Sequence, residues 1–118
     1  MFESKFVEHR GQRILRLEYS KLSSTELVAA TDQVRRLVAA EPLGSARILT
    51  VINSKLTAQG AATLKQCALA NRPYIRAGAV VASSFWKVIV ADVQVHGRED
   101  LTMFDDEASA LDWLASRA

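Results

Sequence analysis

Residues 46 to 64 read ARILTVINSKLTAQGAATL, and this stretch contains a strand followed by a helix. Its first eight residues are almost wholly apolar and are bounded by turn residues, which is typical of a central strand covered on both faces. Thr57 is suited to be the N-cap of the helix, which is predicted to continue to about Ala70. The residues expected to face inward from that helix are Ala61, Leu64 and Ala68. The stretch therefore predicts a β-α unit of an α/β fold.

The residues before this stretch predict a hairpin and a helix. Residues 4–20 show partly alternating apolar side chains and indicate two short strands with Gly11 at the turn. Residues 22–42 form the clearest helical pattern in the chain, and Ser23 and Glu26 open it with a capping box. The chain is therefore predicted to begin with two strands and a helix before its central strand.

The residues after the stretch continue the alternation. Residues 74–82 and 101–104 predict strands, whereas residues 83–97 and 105–118 predict helices, the last of them capped by Asp105 or Asp106. Such alternation after a hairpin implies right-handed crossovers and a largely parallel sheet. The predicted fold class is α/β, a single domain over the whole chain with a mixed sheet of about five strands and four helices.

The composition excludes several classes of protein. The chain has 118 residues with 15 basic and 13 acidic side chains spread along it, so no clustered basic patch for a nucleic acid is expected. Cys67 is the only cysteine, which rules out an intramolecular disulfide and a multi-cysteine metal site. No apolar run reaches the length of a membrane span, and the opening MFESKFVEHR is charged where a signal peptide is apolar. We therefore expect a reduced, soluble, cytoplasmic protein.

Few residues are placed to carry catalysis. His9 and His96 are the only histidines and lie in different predicted elements, so neither is expected to bind a metal or act in catalysis. Cys67 lies in the middle of a predicted helix, away from the N-terminus that would lower its pKa, and is expected to be a small buried or half-buried side chain. No serine lies in a G-x-S-x-G motif, and no glycines form a phosphate or dinucleotide loop. The sequence therefore predicts no enzyme, no cofactor and no metal site.

Three segments carry a resemblance to a known family: GQRILRLEYSKLSSTEL at 11–27, NRPYIRAGAVVASS at 71–84 and MFDDEASALDWLA at 103–115. With the predicted order of elements, the chain resembles the STAS domain, the SpoIIAA-like fold of bacterial anti-sigma-factor antagonists, and in particular a divergent bacterial branch of that superfamily. The resemblance implies a regulatory module that binds other proteins. The same fold is similar to the lipid-transfer CRAL-TRIO domain, which would imply an apolar ligand.

In the signalling STAS domains, the loop before the second helix reads roughly Asp-Ser-Ser-Gly-Leu-Gly, and its second serine is phosphorylated to switch partners. Gly60 best matches the first glycine of that loop, which places Gln59 at the phosphoserine. Because Gln59 has no hydroxyl, the switch is predicted to be lost. Ser54 and Thr57 remain as hydroxyls before a helix N-terminus, where a phosphate would be favoured. The alternative is that they are an ordinary loop residue and an N-cap.

The resemblance also makes this loop the partner-binding edge of the domain. The residues predicted to form the edge are Asn53, Ser54, Thr57, Gln59 and Gly60. Ser83 and Ser84 follow the next strand, and ligands of open α/β sheets bind outside the carboxyl ends of the strands. The two serines can therefore frame a small polar site with this loop. The alternative is that one of them caps the helix that follows.

The helix predicted at 83–97 has apolar residues around more than half of its circumference, which is a wider stripe than packing on one sheet face needs. The residues of this face are Phe85, Trp86, Ile89, Val90 and Val93. A second copy of the chain, the internal core or an apolar ligand can cover it. The second copy is preferred, because symmetric dimers are common and Trp and Phe are enriched at interface centres.

The sequence as a whole predicts a non-enzymatic interaction or regulatory module that lacks the phosphoserine switch. It is expected to form a homodimer and to bind a protein partner whose identity the sequence does not reveal. The alternative function is the binding or carrying of a small apolar, lipid-like ligand beneath the helix at 83–97.

Overall fold

The computed structural model describes residues 1–53 and 57–117. The elements in chain order are β1 (Phe2–His9), β2 (Gln12–Tyr19), α1 (Ser24–Ala39), β3 (Ala46–Ile52), α2 (Ala58–Ala70), β4 (Ile75–Ala82), α3 (Lys87–Val95), β5 (Leu101–Phe104) and α4 (Glu107–Ser116). Two short 3₁₀ turns, Arg72–Tyr74 and Ser84–Trp86, stand directly before β4 and α3. The predicted order of strands and helices is confirmed over these residues.

The strands lie in the order β1-β2-β3-β4-β5. β1 is antiparallel to β2, and the other neighbouring pairs are parallel. Each parallel connection passes through one helix, and right-handed crossovers in one direction place α1, α2 and α3 on the same side of the sheet. Within the described ranges, this confirms the predicted α/β fold with a mixed, mostly parallel sheet of five strands and four helices.

Arg10 and Gly11 form the turn between β1 and β2, as predicted for Gly11. Their φ angles are 52° and 79°, and a two-residue type I′ turn requires positive φ at both positions. Glycine adopts this conformation without a Cβ clash. The turn pairs His9 with Gln12, and this register continues along both strands.

Side chains cap three of the helices at the predicted positions. Ser23 and Glu26 form the predicted capping box of α1. Thr57 caps α2 by accepting a backbone N–H of its first turn at 3.1 Å. Asp106, one of the two residues expected, caps α4 by accepting the backbone N–H of Ser109 at 2.8 Å. Local hydrogen bonding of this kind determines where each helix begins.

The third helix differs from its prediction at its beginning. The sequence predicts a helix from residue 83, but the α-helix begins at Lys87 and follows a 3₁₀ turn. Ser83 has the N-cap position of that turn, yet its side chain makes no capping hydrogen bond. The backbone N–H of Trp86 donates to the Ser83 carbonyl at 3.0 Å, which is the tighter 3₁₀ pattern.

The sheet has two faces with separate hydrophobic clusters. On the first face, α1, α2 and α3 pack on one set of alternate strand residues, among them Leu15, Leu17 and Tyr19. On the second face, α4 packs on the other set through Ala110 and Leu114. Alternate side chains of a strand point to opposite faces, so each strand contributes to both clusters.

Candidate functional site

A partly enclosed cavity of about 90 Å³ lies in the core of the first face. Its walls come from α1, α2 and α3 and from strands β2 to β5. The apolar residues around it include Leu17, Val34, Ile48, Ile52, Leu64, Val80, Trp86, Ile89, Val90, Val93 and Leu101. Small molecules usually bind in concave, mostly apolar spaces with a few polar groups. This cavity is therefore the candidate functional site.

Small residues explain why the core has room at this place. Cys67 and Ala68 line the cavity on the side of α2, and Gly78 of β4 lines it on the side of the sheet. A Cβ on Gly78 would lie 2.6 Å from Nη2 of Arg98, so the missing side chain makes room for that guanidinium. The α2 residues predicted to face inward, Ala61, Leu64 and Ala68, are half-buried against the same cluster.

Arg98 is a buried cation at the edge of the cavity that the sequence patterns did not identify. Its side chain is 5% exposed, and its Nε and Nη2 donate to the two carboxylate oxygens of Asp100, both at 2.9 Å. Its Nη1 donates to the carbonyl of Ala68 in α2 at 2.8 Å. The pair therefore joins the loop before β5 to α2. The only signal in the sequence is a basic and an acidic residue two positions apart, which is too common to single them out.

Lys65, the other cation that lines the cavity, is also paired with a carboxylate. Its Nζ lies 2.7 Å from Oδ2 of Asp92 in α3. The hydrogen bond from Lys65 lowers the pKa of Asp92. Among the described lining residues, both cations are therefore matched by an acidic side chain.

The polar residues that line the cavity include Tyr19, Cys67 and Asn71. The Cys67 thiol donates to the carbonyl of Thr31 at 3.7 Å, and Asn71 Nδ2 donates to Cys67 Sγ at 3.6 Å. Burial raises the pKa of both the Cys67 thiol and the Tyr19 hydroxyl, so the two groups are neutral at neutral pH. Cys67 is 6% exposed, which confirms the predicted buried side chain.

The predicted partner-binding edge follows the carboxyl end of β3, and Ser54 lies outside the described residues. Asn53, Thr57 and Gln59 are exposed, whereas Gly60 is buried. Asn53 donates from Nδ2 to a glutamate carboxylate of β2 at 3.0 Å, and the Thr57 hydroxyl oxygen is occupied as the N-cap of α2. The side chains of Asn53 and Thr57 are thus engaged in hydrogen bonds, whereas Gln59 is exposed in the first turn of α2.

Ser83 and Ser84 are exposed at the same edge of the sheet. β3 and β4 end side by side, with Ile52 paired to Ala82, so the residues that follow both strands are neighbours at this edge. The structure therefore brings the two serines near Asn53, as the strand order predicted. The cavity lies within the first face beneath α2, and its lining includes Tyr19, Ile52 and Trp86 from this edge of the sheet.

The apolar face predicted around α3 is divided between the core and the surface. Trp86, Val90 and Val93 are 2%, 6% and 4% exposed within the domain's own core, which is one of the three coverings that the sequence left open. Ile89 is half-buried against them, and Phe85 is 45% exposed. The apolar residues of this helix region that remain on the surface are Phe85, Val88 and Val95, which we call the α3 stripe.

On the second face, polar contacts hold α4 to the sheet. Arg16 donates to Glu107 through Nε at 2.8 Å and Nη2 at 3.1 Å, which lowers the pKa of Glu107. His9 Nε2 lies 2.7 Å from Oδ1 of Asp112, and this hydrogen bond lowers the pKa of Asp112. Arg47 donates to two carbonyls at the C-terminal end of α4. These residues position a helix and do not line the cavity.

Over residues 1–53 and 57–117, no three His, Cys, Asp or Glu side chains come together as a metal ion would require. In the same part of the chain, no helix combines the length and the apolar character needed to cross a membrane.

The fold is shared with a protein of known structure. No family model and no curated protein matches the chain. Among solved structures, the chain is similar to an uncharacterised protein of the DUF3478 family from Shewanella loihica PV-4, which is described as having a SpoIIAA-like fold. The TM-score is 0.74 at 14% sequence identity, and the match covers 96% of this chain and 93% of that protein. The chain therefore has the SpoIIAA-like fold that its sequence resembled.

Proposed function

We propose that this chain is a non-enzymatic module that binds a small apolar ligand in the cavity of the first face. The observation that carries the proposal is an apolar space of about 90 Å³ next to Trp86. Natural cores contain few voids larger than a water molecule, because an unfilled space deprives its lining of dispersion contacts. A space of this size in a small core is therefore best explained by an occupant.

The cavity volume limits the size of the ligand. An apolar cavity of roughly 150 Å³ holds benzene. In proportion to its volume, the present cavity of about 90 Å³ can hold a ligand with about four carbon atoms. A full lipid acyl chain exceeds this volume, so the proposal is for a short ligand.

The proposal includes neither catalysis nor a phosphoserine switch. By the resemblance to signalling STAS domains, Gln59 corresponds to their phosphorylated serine, and it has no hydroxyl to modify. Regulation would instead follow occupancy of the cavity, because a ligand that binds only the folded chain stabilises it in proportion to its concentration.

Binding of n-butane under pressure, followed by NMR, tests this function. We expect saturable chemical-shift changes at cavity residues such as Trp86 and Val90 in the native chain. The matched control is Ala68→Leu, which fills the cavity from α2 and is expected to abolish the changes while the protein stays folded. Absence of saturable changes in the native chain would contradict the proposal.

The α3 stripe favours a second candidate, a homodimer that acts as a protein-interaction module. Phe85, Val88 and Val95 are 45%, 78% and 83% exposed. Phe85 also lies at the sheet edge that carries Asn53, so the stripe and the predicted partner-binding edge are continuous in this proposal. A second copy of the chain is the proposed occupant, since two-fold contacts are the commonest among soluble oligomers.

Native mass spectrometry tests the dimer. We expect a dimer for the native chain and a monomer for Val88→Glu, because a carboxylate would be desolvated in the apolar contact. Val28→Glu is the control, since Val28 is 49% exposed on α1, away from the stripe. A monomeric native chain would contradict this candidate.

A further inference from the structure

Within the residues that the structure describes, the buried hydroxyl of Tyr19 has no hydrogen-bond partner. The side chain is 2% exposed and lines the cavity, yet its hydroxyl makes no hydrogen bond with any residue of the ranges 1–53 and 57–117. Buried hydroxyls in native proteins almost always have a partner, and one that has none in the protein points to a bound molecule. The Tyr19 hydroxyl is therefore available to a molecule in the cavity.

Asn71 is a second buried polar side chain that lines the cavity. It is 6% exposed, and its amide donates to Cys67 Sγ, while its Oδ1 accepts no hydrogen bond within the described residues. Tyr19 and Asn71 both line the cavity. Its lining therefore includes two buried polar side chains with unused hydrogen-bonding capacity within the described residues, the Tyr19 hydroxyl and Asn71 Oδ1.

Asn71 belongs to the lining of two spaces, the cavity and a groove at the surface. It lines an open groove between the C-terminal parts of α1 and α2, whose other walls include Asp32, Arg35 and Tyr74.

The charges around the cavity favour an uncharged ligand. Arg98 is engaged by Asp100 through two hydrogen bonds, and Lys65 is engaged by Asp92. An anionic ligand would have to compete with these carboxylates, and burying an unpaired charge is strongly unfavourable. The transfer of a neutral polar group from water into the cavity costs far less free energy.

We propose that the cavity selects a neutral ligand of about four carbons that carries one hydrogen-bond acceptor, such as a carbonyl oxygen, and that this acceptor takes the hydrogen of the Tyr19 hydroxyl. The inference rests on the proposed ligand-binding function, and it adds the chemistry of the ligand and the residue that recognises it. In this arrangement the apolar body contacts Trp86 and its neighbours, while the acceptor lies at the Tyr19 hydroxyl.

The test compares three ligands with the same number of carbons, 2-butanone, n-butane and butanoate, by NMR titration of the native chain and of Tyr19→Phe. One net hydrogen bond corresponds to about a fivefold change in Kd, so Tyr19→Phe is expected to weaken 2-butanone about fivefold and to leave n-butane within about twofold. Tyr74→Phe is the matched control, because Tyr74 lines the outer groove and not the cavity. Butanoate is expected to give no saturable shift at Trp86.

Each outcome separates this inference from the function on which it rests. If n-butane binds and Tyr19→Phe leaves 2-butanone unchanged or tighter, the acceptor role is overturned while the apolar cavity remains a binding site. Butanoate binding more tightly than 2-butanone would overturn the neutrality of the ligand. If neither n-butane nor 2-butanone binds the native chain, the proposed function fails together with the inference.

Discussion

The two faces of the sheet are packed in opposite ways. The first face is covered by three helices and yet contains a cavity of about 90 Å³, whereas the second face is covered by α4. On the second face, Ile14, Leu49, Ala110 and Leu114 are all 0% exposed. The number of covering helices therefore does not determine how closely a face is filled. The size of the side chains between helix and sheet matters here, because α2 places Ala68 and Cys67 where a longer side chain would fill the cavity.

The charged contacts of the two faces differ as well. Arg98 and Asp100 on the first face form a buried pair, with side chains 5% and 26% exposed. Arg16 and Glu107 on the second face lie at the border of α4, where the Glu107 side chain is 41% exposed. The face that contains the cavity thus has the more deeply buried ion pair. The stability of the fold depends on this pair staying intact, because an unpaired buried charge is strongly unfavourable.

Removing one acidic partner on each face is expected to give the largest effect and the sharpest contrast. Asp100→Ala leaves the Arg98 guanidinium buried without its carboxylate and should lower the free energy of unfolding by about 3 kcal/mol. Glu107→Ala breaks the more exposed pair and should lower it by about 0.5 to 1 kcal/mol. Urea denaturation of both variants measures the difference, and equal losses would contradict the expectation that the deeper burial of Arg98 makes its pair more important for stability.

Adding volume to each face tests the packing difference directly. Ala110→Leu introduces a side chain into the filled second face and should lower the free energy of unfolding by about 2 kcal/mol. Ala68→Leu extends into the cavity and should be neutral or stabilising by up to about 1 kcal/mol. Leucine and alanine both favour helices, so propensity contributes little to either value. Similar losses in the two variants would mean that the cavity is not open to a side chain from α2.

Removing the Tyr19 hydroxyl should stabilise the chain in the absence of ligand. An unpaired buried hydroxyl is unfavourable, so Tyr19→Phe is expected to raise the free energy of unfolding by about 1 kcal/mol. Tyr74→Phe, outside the cavity, should change it little. A loss of stability in Tyr19→Phe, measured by thermal or urea unfolding, would indicate that the hydroxyl already has a partner.

The smallest expected effect is a pH dependence on the second face. The hydrogen bond from Arg16 lowers the pKa of Glu107 below its ordinary value of 4.5 in the folded chain. The unfolded chain therefore takes up this proton first, so the contribution of the pair is complete above pH 4.5 and is lost as the pH falls below it. We expect the difference in unfolding free energy between the native chain and Glu107→Gln, about 0.5 kcal/mol at pH 7, to shrink in that range. A difference that persists unchanged at lower pH would contradict this origin.

The regular elements could be predicted because their signals are local. Ser23 with Glu26, and Thr57 before α2, cap their helices through residues three positions away, and Gly11 supplies the turn that its own φ requires. The beginning of α3 could not be predicted in the same way. The 3₁₀ turn Ser84–Trp86 precedes it, and Trp86 is buried in a core whose other residues are distant in the sequence.

The sequence by itself determined the order of strands and helices, the mixed parallel sheet and the absence of a hydroxyl at Gln59. Only the tertiary structure decided that Trp86, Val90 and Val93 belong to the core and that a cavity lies beneath α2. Tyr19, Asn71, Gly78 and Arg98 come from four separate segments and show no pattern along the chain. Their meeting depends on the packing of three helices on one sheet face, and the space between them depends on the small volume of residues that are unremarkable one at a time.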